Sequence, residues 1–218
     1  MNTKEGKTLT AWNEAGVVST VQSPHAILRP VPIQAVTMEA GFWRRRLEAN
    51  RRAGIPAFLS WLDRDDQISP FRTFSQSTDG PKIGNALEIL DRNYRGQNKL
   101  GLSYHWRANA TKWLEACAFV LQSGEDDEIR GLVNGLAAGF VAAHQNEDFF
   151  NIYYGENFEL SYGLATPGHL IQTAIAHHRA TGEDQFLECA MGVADRVCAQ
   201  FGGEDFAGHS VIEMALVE

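Results

Sequence analysis

The sequence contains two copies of one pattern, in which a four-residue turn separates two amphipathic segments. Residues 113–142 resemble residues 171–200 at an offset of 58, and the turns read Ser-Gly-Glu-Asp at 123–126 and Thr-Gly-Glu-Asp at 181–184. Glycine favours the left-handed conformation that ends a helix, and acidic residues stabilise the start of the next one. The repeat therefore predicts αα-hairpins, which stack either in an open solenoid or around a closed α/α toroid.

Apolar residues on both sides of the turns recur every three or four positions. The first stripe comprises Ile129, Leu132, Val133, Leu136, Ala137, Phe140 and Val141. The second comprises Phe186, Leu187, Ala190, Val193, Ala194, Val197, Cys198 and Phe201. Because stripes with this spacing face a core, the sequence predicts an all-α fold.

The N-terminal part has weaker periodicity. Residues 1–36 contain three prolines and are predicted to form an extended arm, ahead of a single helical domain at 37–218. Thr37 is predicted to cap a helix that is interrupted near Gly54 and Pro56.

The segment from 63 to 108 is the least regular part of the sequence. Ser69-Pro70 and Asp79-Gly80-Pro81 are typical of turns. A short helix at 86–90 is the one regular element predicted there.

Composition narrows the functional classes. A chain of 218 residues with 44% hydrophobic content is long enough for one domain with a core. Its formal net charge of −8 disfavours nucleic acid as a partner, because phosphate binding requires clustered Lys and Arg. No apolar run approaches the roughly 18 to 20 residues of a membrane span, and no secretory signal is visible, so a cytoplasmic location without membrane contact is expected.

Three cysteines are scattered in apolar helical segments, at Cys117, Cys189 and Cys198. None belongs to a Cys-x-x-Cys pair. They are predicted to be reduced packing residues with no metal or disulfide role.

The segment between 146 and 167 is unusually aromatic, and two interpretations of it stay open. Its rings are Phe149, Phe150, Tyr153, Tyr154, Phe158 and Tyr162. Aromatic faces stack on sugars, so the segment is a candidate sugar-binding loop. Alternatively, the rings pack beneath a long loop.

A Gly-His pair precedes two amphipathic segments, as Gly168-His169 and as Gly208-His209. This echo predicts two helices whose N-terminal ends face one pocket. A helical wheel of the first segment places His178 inside the apolar arc and His177 at its edge, which predicts a buried His178.

Several motifs together carry a family resemblance. In chain order they are Phe42-Trp43-Arg44-Arg45-Arg46, Lys112-Trp113-Leu114-Glu115-Ala116, Ala143-His144-Gln145-Asn146, Gly168-His169-Leu170-Ile171, Ala176-His177-His178-Arg179-Ala180-Thr181-Gly182, and Gly208-His209 with Ile212-Glu213-Met214-Ala215-Leu216. This series resembles the N-terminal part of the β-L-arabinofuranosidase family of glycoside hydrolases, family 127, from about Val36 to Glu218.

The resemblance implies a catalytic α/α barrel of the (α/α)6 type, incomplete in this chain. Family members resemble retaining glycosidases in which a zinc-bound cysteine is the nucleophile and a glutamate is the acid/base. Those positions fall outside the part of the family pattern that this chain matches. The resemblance therefore assigns no catalytic residue, metal ligand or cofactor to this chain, although zinc is implied for the complete enzyme.

The resemblance does assign sugar-binding positions. His209 matches a histidine that hydrogen-bonds the arabinofuranose in the family, although a helix-capping role is the alternative. Tyr162 replaces a second family histidine, which leaves open whether the sugar is arabinofuranose or a related one. His169 is a candidate for the same pocket mouth.

These observations predict the N-terminal portion of a glycoside hydrolase acting on terminal β-L-arabinofuranosyl or a related sugar, inactive as this chain alone. The alternative is a non-catalytic helical-hairpin scaffold or a module that binds carbohydrate or protein. An incomplete barrel exposes apolar edges, which predicts self-association or a complementary chain.

Overall fold

The computed structural model describes residues 24–25, 27–28, 30–98, 103–155, 158, 164–201 and 209–218, and all regular structure in these ranges is helical. A 3₁₀ turn at Ile33–Ala35 precedes ten α-helices, with a π-helical segment at Asn50–Gly54 between the first two. The α-helices are α1 Phe42–Ala49, α2 Ile55–Arg64, α3 Ser69–Gln76, α4 Gly80–Asn98, α5 Ser103–Ser123, α6 Asp127–His144, α7 Glu147–Tyr154, α8 Ala165–Thr181, α9 Gln185–Phe201 and α10 Ser210–Val217. The predicted all-α fold is confirmed.

The two repeated turns join α5 to α6 and α8 to α9, as the sequence predicts. The Asp126 carboxylate accepts a hydrogen bond from the Ile129 backbone N–H at 3.1 Å and so caps α6. Gly182 adopts a left-handed φ of 77°, and its N–H donates to the His178 carbonyl at 2.8 Å. Gly124 is not among the described glycines with positive φ, so the first turn closes without a left-handed glycine.

The helices form two rows. Helix α8 packs between α5 and α10 in one row, here called the inner row, while α6 and α9 pack against each other in the second. Gln122 of α5 donates from Nε2 to the Ala176 carbonyl of α8 at 3.2 Å. Along α8 and α10, Gly168 faces Val211 and Arg179 pairs with Glu218, so these two helices run parallel.

The aromatic segment after α6 is largely helix α7, and its rings lie in the core. Phe149, Phe150, Tyr153 and Tyr154 are each at most 5% exposed. Phe149 and Tyr153 stack with ring centroids 5.0 Å apart. Of the two interpretations left open, the described rings therefore fit packing, and they are not available to a sugar.

The region from 63 to 108 is more regular than the sequence predicts. Helices α3 and α4 both occur there, and the expected turns at Ser69-Pro70 and Gly80-Pro81 are their first residues. Proline lacks the N–H that a first helical turn leaves unpaired, so an X-Pro pair begins a helix as readily as a turn.

The predicted cap at Thr37 is wrong, because α1 begins after Gly41, which has a φ of 134°. The predicted interruption near Gly54 is confirmed as the π-helical segment. Within that segment Arg51 donates from Nη2 to the carbonyls of Val120 and Gly124, at 3.2 and 3.0 Å, and so caps the C-terminus of α5.

None of the described helices combines the length and the apolar character that a membrane span requires.

The three cysteines differ in burial. Cys117 is buried as predicted and Cys189 is half-buried, but Cys198 is exposed on α9, so the packing prediction is wrong for that residue.

Candidate functional site

The N-terminal ends of α8 and α10 touch. A Cβ added at Gly168 would stand 2.7 Å from Val211 Cγ1 and 2.9 Å from the Ile212 nitrogen. Only a residue without a side chain permits this approach. The two Gly-His histidines, His169 and His209, are therefore held at the same end of the inner row, here called the Gly-His mouth.

His209 is the N-cap of α10. Its Nδ1 accepts a hydrogen bond from the Val211 backbone N–H at 3.4 Å, with φ −116° and ψ 131°. An accepting Nδ1 carries a lone pair, so the proton of the neutral ring is on Nε2. The capping role predicted as an alternative is thus present, and it leaves the Nε2–H donor for a second partner.

His169 is the fifth residue of α8 and is half-buried. Its Nδ1 is buried and has no hydrogen-bond partner among the described residues. Burial, the Lys112 charge and the neighbouring His209 lower the pKa of His169 to about 4. His169 is therefore a neutral ring at physiological pH.

Thr173 fixes the position of α8 against α5. Its hydroxyl lies 2.6 Å from the His169 carbonyl and 3.2 Å from the Thr111 carbonyl. The next residue of α5, Lys112, is exposed and close enough to depress the pKa of His169. Lys112 therefore adds a cationic donor to the Gly-His mouth.

Further along the inner row, α5, α8 and α10 line a cavity of about 160 Å³ that reaches the C-terminal ends of α8 and α10 at Arg179 and Glu218. Its lining residues include Glu115, Phe119, Gln172, Ile175 and Met214. Burial raises the pKa of Glu115, although Lys112 opposes the shift. The cavity thus combines apolar walls with a carboxyl, an amide and the Arg179–Glu218 ion pair, a mixture that suits ligands bearing several hydroxyls.

Comparison with known proteins identifies the family. The model of the β-L-arabinofuranosidase GH127 catalytic domain matches residues 35–218. The chain belongs to the GH127 family. A curated relative, the non-reducing end β-L-arabinofuranosidase of Bifidobacterium longum subsp. longum, is 27% identical over 205 residues, which cover 84% of this chain and 30% of the relative.

A solved GH127 β-arabinofuranosidase structure has the same fold over the matched region. The TM-score is 0.61 at 21% sequence identity, with 85% of this chain and 30% of that chain covered. The predicted α/α-barrel architecture is therefore confirmed for a partial domain. This GH127 chain spans about 30% of the length of the relatives that it matches.

The described residues of this GH127 chain do not fit a zinc ion. Zinc in proteins takes three or four His, Cys or carboxylate ligands. No three such side chains are grouped suitably among the described residues. Burial raises the pKa of Cys117 to about 12 and of Cys189 to about 11, so neither thiol is deprotonated at neutral pH.

The other candidate residues lie elsewhere. Tyr162 lies outside the described residues. His177 is 2% exposed and its Nε2 is 3.2 Å from Asn134 Oδ1, whereas His178 is partly exposed and pairs with Asp184 at 3.0 Å. The prediction of a buried His178 is therefore wrong. Helix α8 contacts α5, α6, α9 and α10, so the apolar arc of a helical wheel does not define its buried side.

Lys112 and Glu115 are parts of the candidate site that the sequence motifs did not single out. Both belong to a motif that carries the family resemblance. Together with Phe119 they recur at helical spacing on α5, opposite the buried face that includes Leu114 and Cys117. A wheel of α5 would have found this second face, but not which neighbouring helix it meets.

The buried His177 predicts a pH dependence of stability. Burial, followed by the charges of His178 and Arg130, lowers the pKa of His177 to about 4 from an ordinary value of 6.5. Between these values the unfolded chain binds a proton that the folded chain does not. The free energy of unfolding should therefore fall as pH drops from 6.5 to 4, by up to about 1.4 kcal/mol per pH unit for this group.

Urea unfolding at pH 7 and at pH 4.5 measures this dependence. His177→Gln keeps a donor for Asn134 and cannot titrate, so its stability should decline less on acidification than that of the wild type. His25→Gln, at an exposed histidine ahead of the helices, is the control. Equal pH dependence in wild type and His177→Gln would contradict the assignment.

Proposed function

We propose that this GH127 chain supplies one wall of the sugar-binding cavity of a glycoside hydrolase that acts on terminal β-L-arabinofuranosyl or a related sugar. The observation that carries the proposal is the position of His169 and His209 at touching helix ends, on a face that also holds Lys112 and Glu115. The name of the curated relative, a non-reducing end β-L-arabinofuranosidase, supports the sugar class.

The chemistry of the Gly-His mouth suits a polyol. A sugar hydroxyl both donates and accepts hydrogen bonds. His209 offers Nε2–H as a donor while its Nδ1 stays occupied by the cap. His169 adds a neutral, half-buried ring, and Lys112 offers ammonium donors. These residues bind and orient the sugar in the proposal, and none of them is assigned to bond cleavage.

Cleavage with retention of configuration needs two reacting groups about 5 Å apart. We assign neither group to this chain, because the thiols of Cys117 and Cys189 are protonated at neutral pH and the family resemblance implies catalytic positions beyond the part that this chain matches. The purified chain is therefore expected not to hydrolyse an aryl β-L-arabinofuranoside. Hydrolysis that depends on zinc and on a reduced thiol would contradict this part of the proposal.

Calorimetric titration of L-arabinose and a panel of other monosaccharides tests the binding site. A single wall should bind a monosaccharide with a Kd on the order of 1 mM. His209→Asn removes the imidazole but keeps a residue that caps helices well. It should weaken binding about tenfold, the cost of one lost hydrogen bond of about 1.4 kcal/mol.

His178→Gln is the matched control, because it changes a histidine of α8 away from the Gly-His mouth and should leave affinity unchanged. Circular dichroism would verify that all variants remain helical. No binding of any sugar, or equal binding by wild type and His209→Asn, would overturn the proposal. That outcome would favour the alternative, a helical scaffold or a protein-binding module. The exposed apolar edges of the helix array support this alternative.

A further inference from the structure

Two open cavities lie side by side between α6 and α9, the helices of the second row. The smaller one measures about 220 Å³ and reaches α8, and the larger one measures about 470 Å³ and reaches α7. Val141 and Gln185 line both of them. Because the two cavities share these walls, they form one continuous groove, here called the α6–α9 groove. None of its lining residues belongs to the Gly-His mouth or to α10.

A buried histidine lines the smaller cavity with one ring nitrogen unpaired. His177 of α8 is 2% exposed, and its Nε2 lies 3.2 Å from Asn134 Oδ1. Its buried Nδ1 has no hydrogen-bond partner among the described residues. An amide oxygen accepts hydrogen bonds, so the proton of the neutral ring is on Nε2 and Nδ1 carries a lone pair. A buried acceptor without a donor is unfavourable, and a ligand with N–H groups would satisfy it.

Two unpaired carboxylates line the groove. Glu183 lines the smaller cavity and Glu188 lines the larger one. Both side chains are exposed, and neither makes an ion pair within the described ranges. They are five residues apart, which corresponds to about 7 Å at the rise of a helix. Between them the groove is apolar, with Val141 and Phe186 in its wall.

The cationic side chains near the groove are already paired. Arg196 lines the larger cavity, where it lies 3.4 Å from Glu147 Oε2 and its guanidinium is 4.2 Å from the Phe150 ring centroid. Arg130, whose charge acts on His177, pairs with Glu125 at 2.6 Å. The last turn of α6 also lines the larger cavity and adds the partial negative charge of a helix C-terminus. The groove therefore has an excess of negative charge, which suits a cation.

We propose that the α6–α9 groove binds a linear aliphatic diamine. One ammonium group would donate to Glu183 and to Nδ1 of His177, and the other would donate to Glu188. The nitrogens of extended 1,4-diaminobutane are about 6 Å apart, close to the separation of the two carboxylates along the groove. Its methylene groups would cover Val141 and Phe186, which removes apolar surface from water. A monoamine can pair with only one carboxylate, so the arrangement selects for two charges on one stem.

Calorimetric titration at low ionic strength with three probes of equal stem length tests the site. The probes are 1,4-diaminobutane, n-butylamine with one charge, and 1,4-butanediol with none. The diamine should bind with a Kd on the order of 1 mM and the monoamine about tenfold more weakly, because it lacks one charge-assisted hydrogen bond. The diol should not bind measurably.

Two Glu→Gln variants separate the groove from the general acidity of the chain. In Glu188→Gln one carboxylate remains in the groove, so the diamine and the monoamine should bind with equal affinity. Glu128→Gln removes the same charge from an exposed position on α6 outside the groove and should keep the tenfold preference. In long-range ¹H–¹⁵N spectra, the His177 ring should shift with the diamine, whereas the rings of His169 and His209 should not.

Each other outcome overturns the proposal. A wild type that does not bind the diamine, or that binds the monoamine equally well, has no two-charge site. An equal loss in Glu128→Gln and Glu188→Gln shows only attraction to an acidic surface, whose formal net charge is −8. Binding without a shift of the His177 ring places the diamine elsewhere. The result is separable from the sugar titration, because the two sites share no residue.

Discussion

Gly139→Ala is expected to lower the free energy of unfolding by about 2 kcal/mol or more. Gly139 lies in the middle of α6, where the backbone of α3 crosses it. A Cβ at this position would contact the Phe71 carbonyl oxygen and stand 2.7 Å from its carbonyl carbon. The backbone of α3 cannot move aside as a side chain can. The steric clash should therefore cost about 3 kcal/mol of stability, near the upper end of what added methyl groups cost in a packed core. Alanine is more favourable than glycine inside a helix by roughly 1 kcal/mol, and this gain offsets only part of the steric cost.

The contact at Gly139 also positions the aromatic core. Phe71 stacks on Phe140 with ring centroids 4.0 Å apart, and Phe140 stacks in turn on Phe186 at 5.8 Å. Moving α3 away from α6 would loosen this series of rings. The expected loss should therefore appear in near-ultraviolet circular dichroism as well as in the unfolding midpoint.

Gly135→Ala is the matched control on the same helix, one turn earlier. An added Cβ at Gly135 meets nothing within 4 Å. This variant should be more stable than the wild type, by up to about 1 kcal/mol. Urea unfolding of both variants measures the difference, which should be about 3 kcal/mol. A Gly139→Ala protein as stable as Gly135→Ala would show that α3 and α6 do not approach as described.

Gly168→Ala is expected to disrupt the Gly-His mouth as well as the fold. Its Cβ would stand 2.7 Å from Val211 Cγ1 and 2.9 Å from the Val211 carbonyl carbon and the Ile212 nitrogen. Helix α10 must shift away, which should cost about 1–3 kcal/mol of stability. His209, as the cap of α10, would move with it. Binding of L-arabinose should therefore weaken in proportion to this displacement, even though His169 and His209 are both retained.

Gly192→Ala and Val211→Ala provide the controls for this prediction. Gly192 on α9 has open space around its Cα, so alanine there should not weaken sugar binding. Adding Val211→Ala to Gly168→Ala removes the contact with Cγ1 but not the contacts with the backbone. The double variant should recover stability only in part. Full recovery would show that the side chain, and not the backbone, limits the approach.

The two αα-hairpins could be predicted because their turns and apolar stripes are local signals. Turn residues and apolar periodicity fix α5, α6, α8 and α9 almost independently of the rest of the chain. The resemblance to the family supplied the prediction that these hairpins belong to an α/α barrel. The cap at Asp126 was likewise predictable, because an acidic residue before an apolar stripe satisfies free backbone N–H groups.

What could not be predicted depends on contacts between distant segments. Helices α3 and α4 begin with X-Pro pairs that equally favour turns, and only packing against α6 and α7 selects the helix. The burial of His177 in place of His178 follows from α8 having neighbours on most sides. The close approaches at Gly139 and Gly168 leave no local signal, because a glycine in a helix has the same sequence context whether or not a backbone crosses it.

The central claim, that the two Gly-His pairs share one sugar-binding mouth, is tested most directly by long-range ¹H–¹⁵N spectra of the histidine side chains during titration with L-arabinose. The account predicts that the ring resonances of His169 and His209 shift together, with one apparent Kd. The rings of His144 and His177, which lie among core side chains, should stay unchanged. Shifts confined to His144 or His177, or shifts of His209 and His169 with different affinities, would contradict a shared mouth.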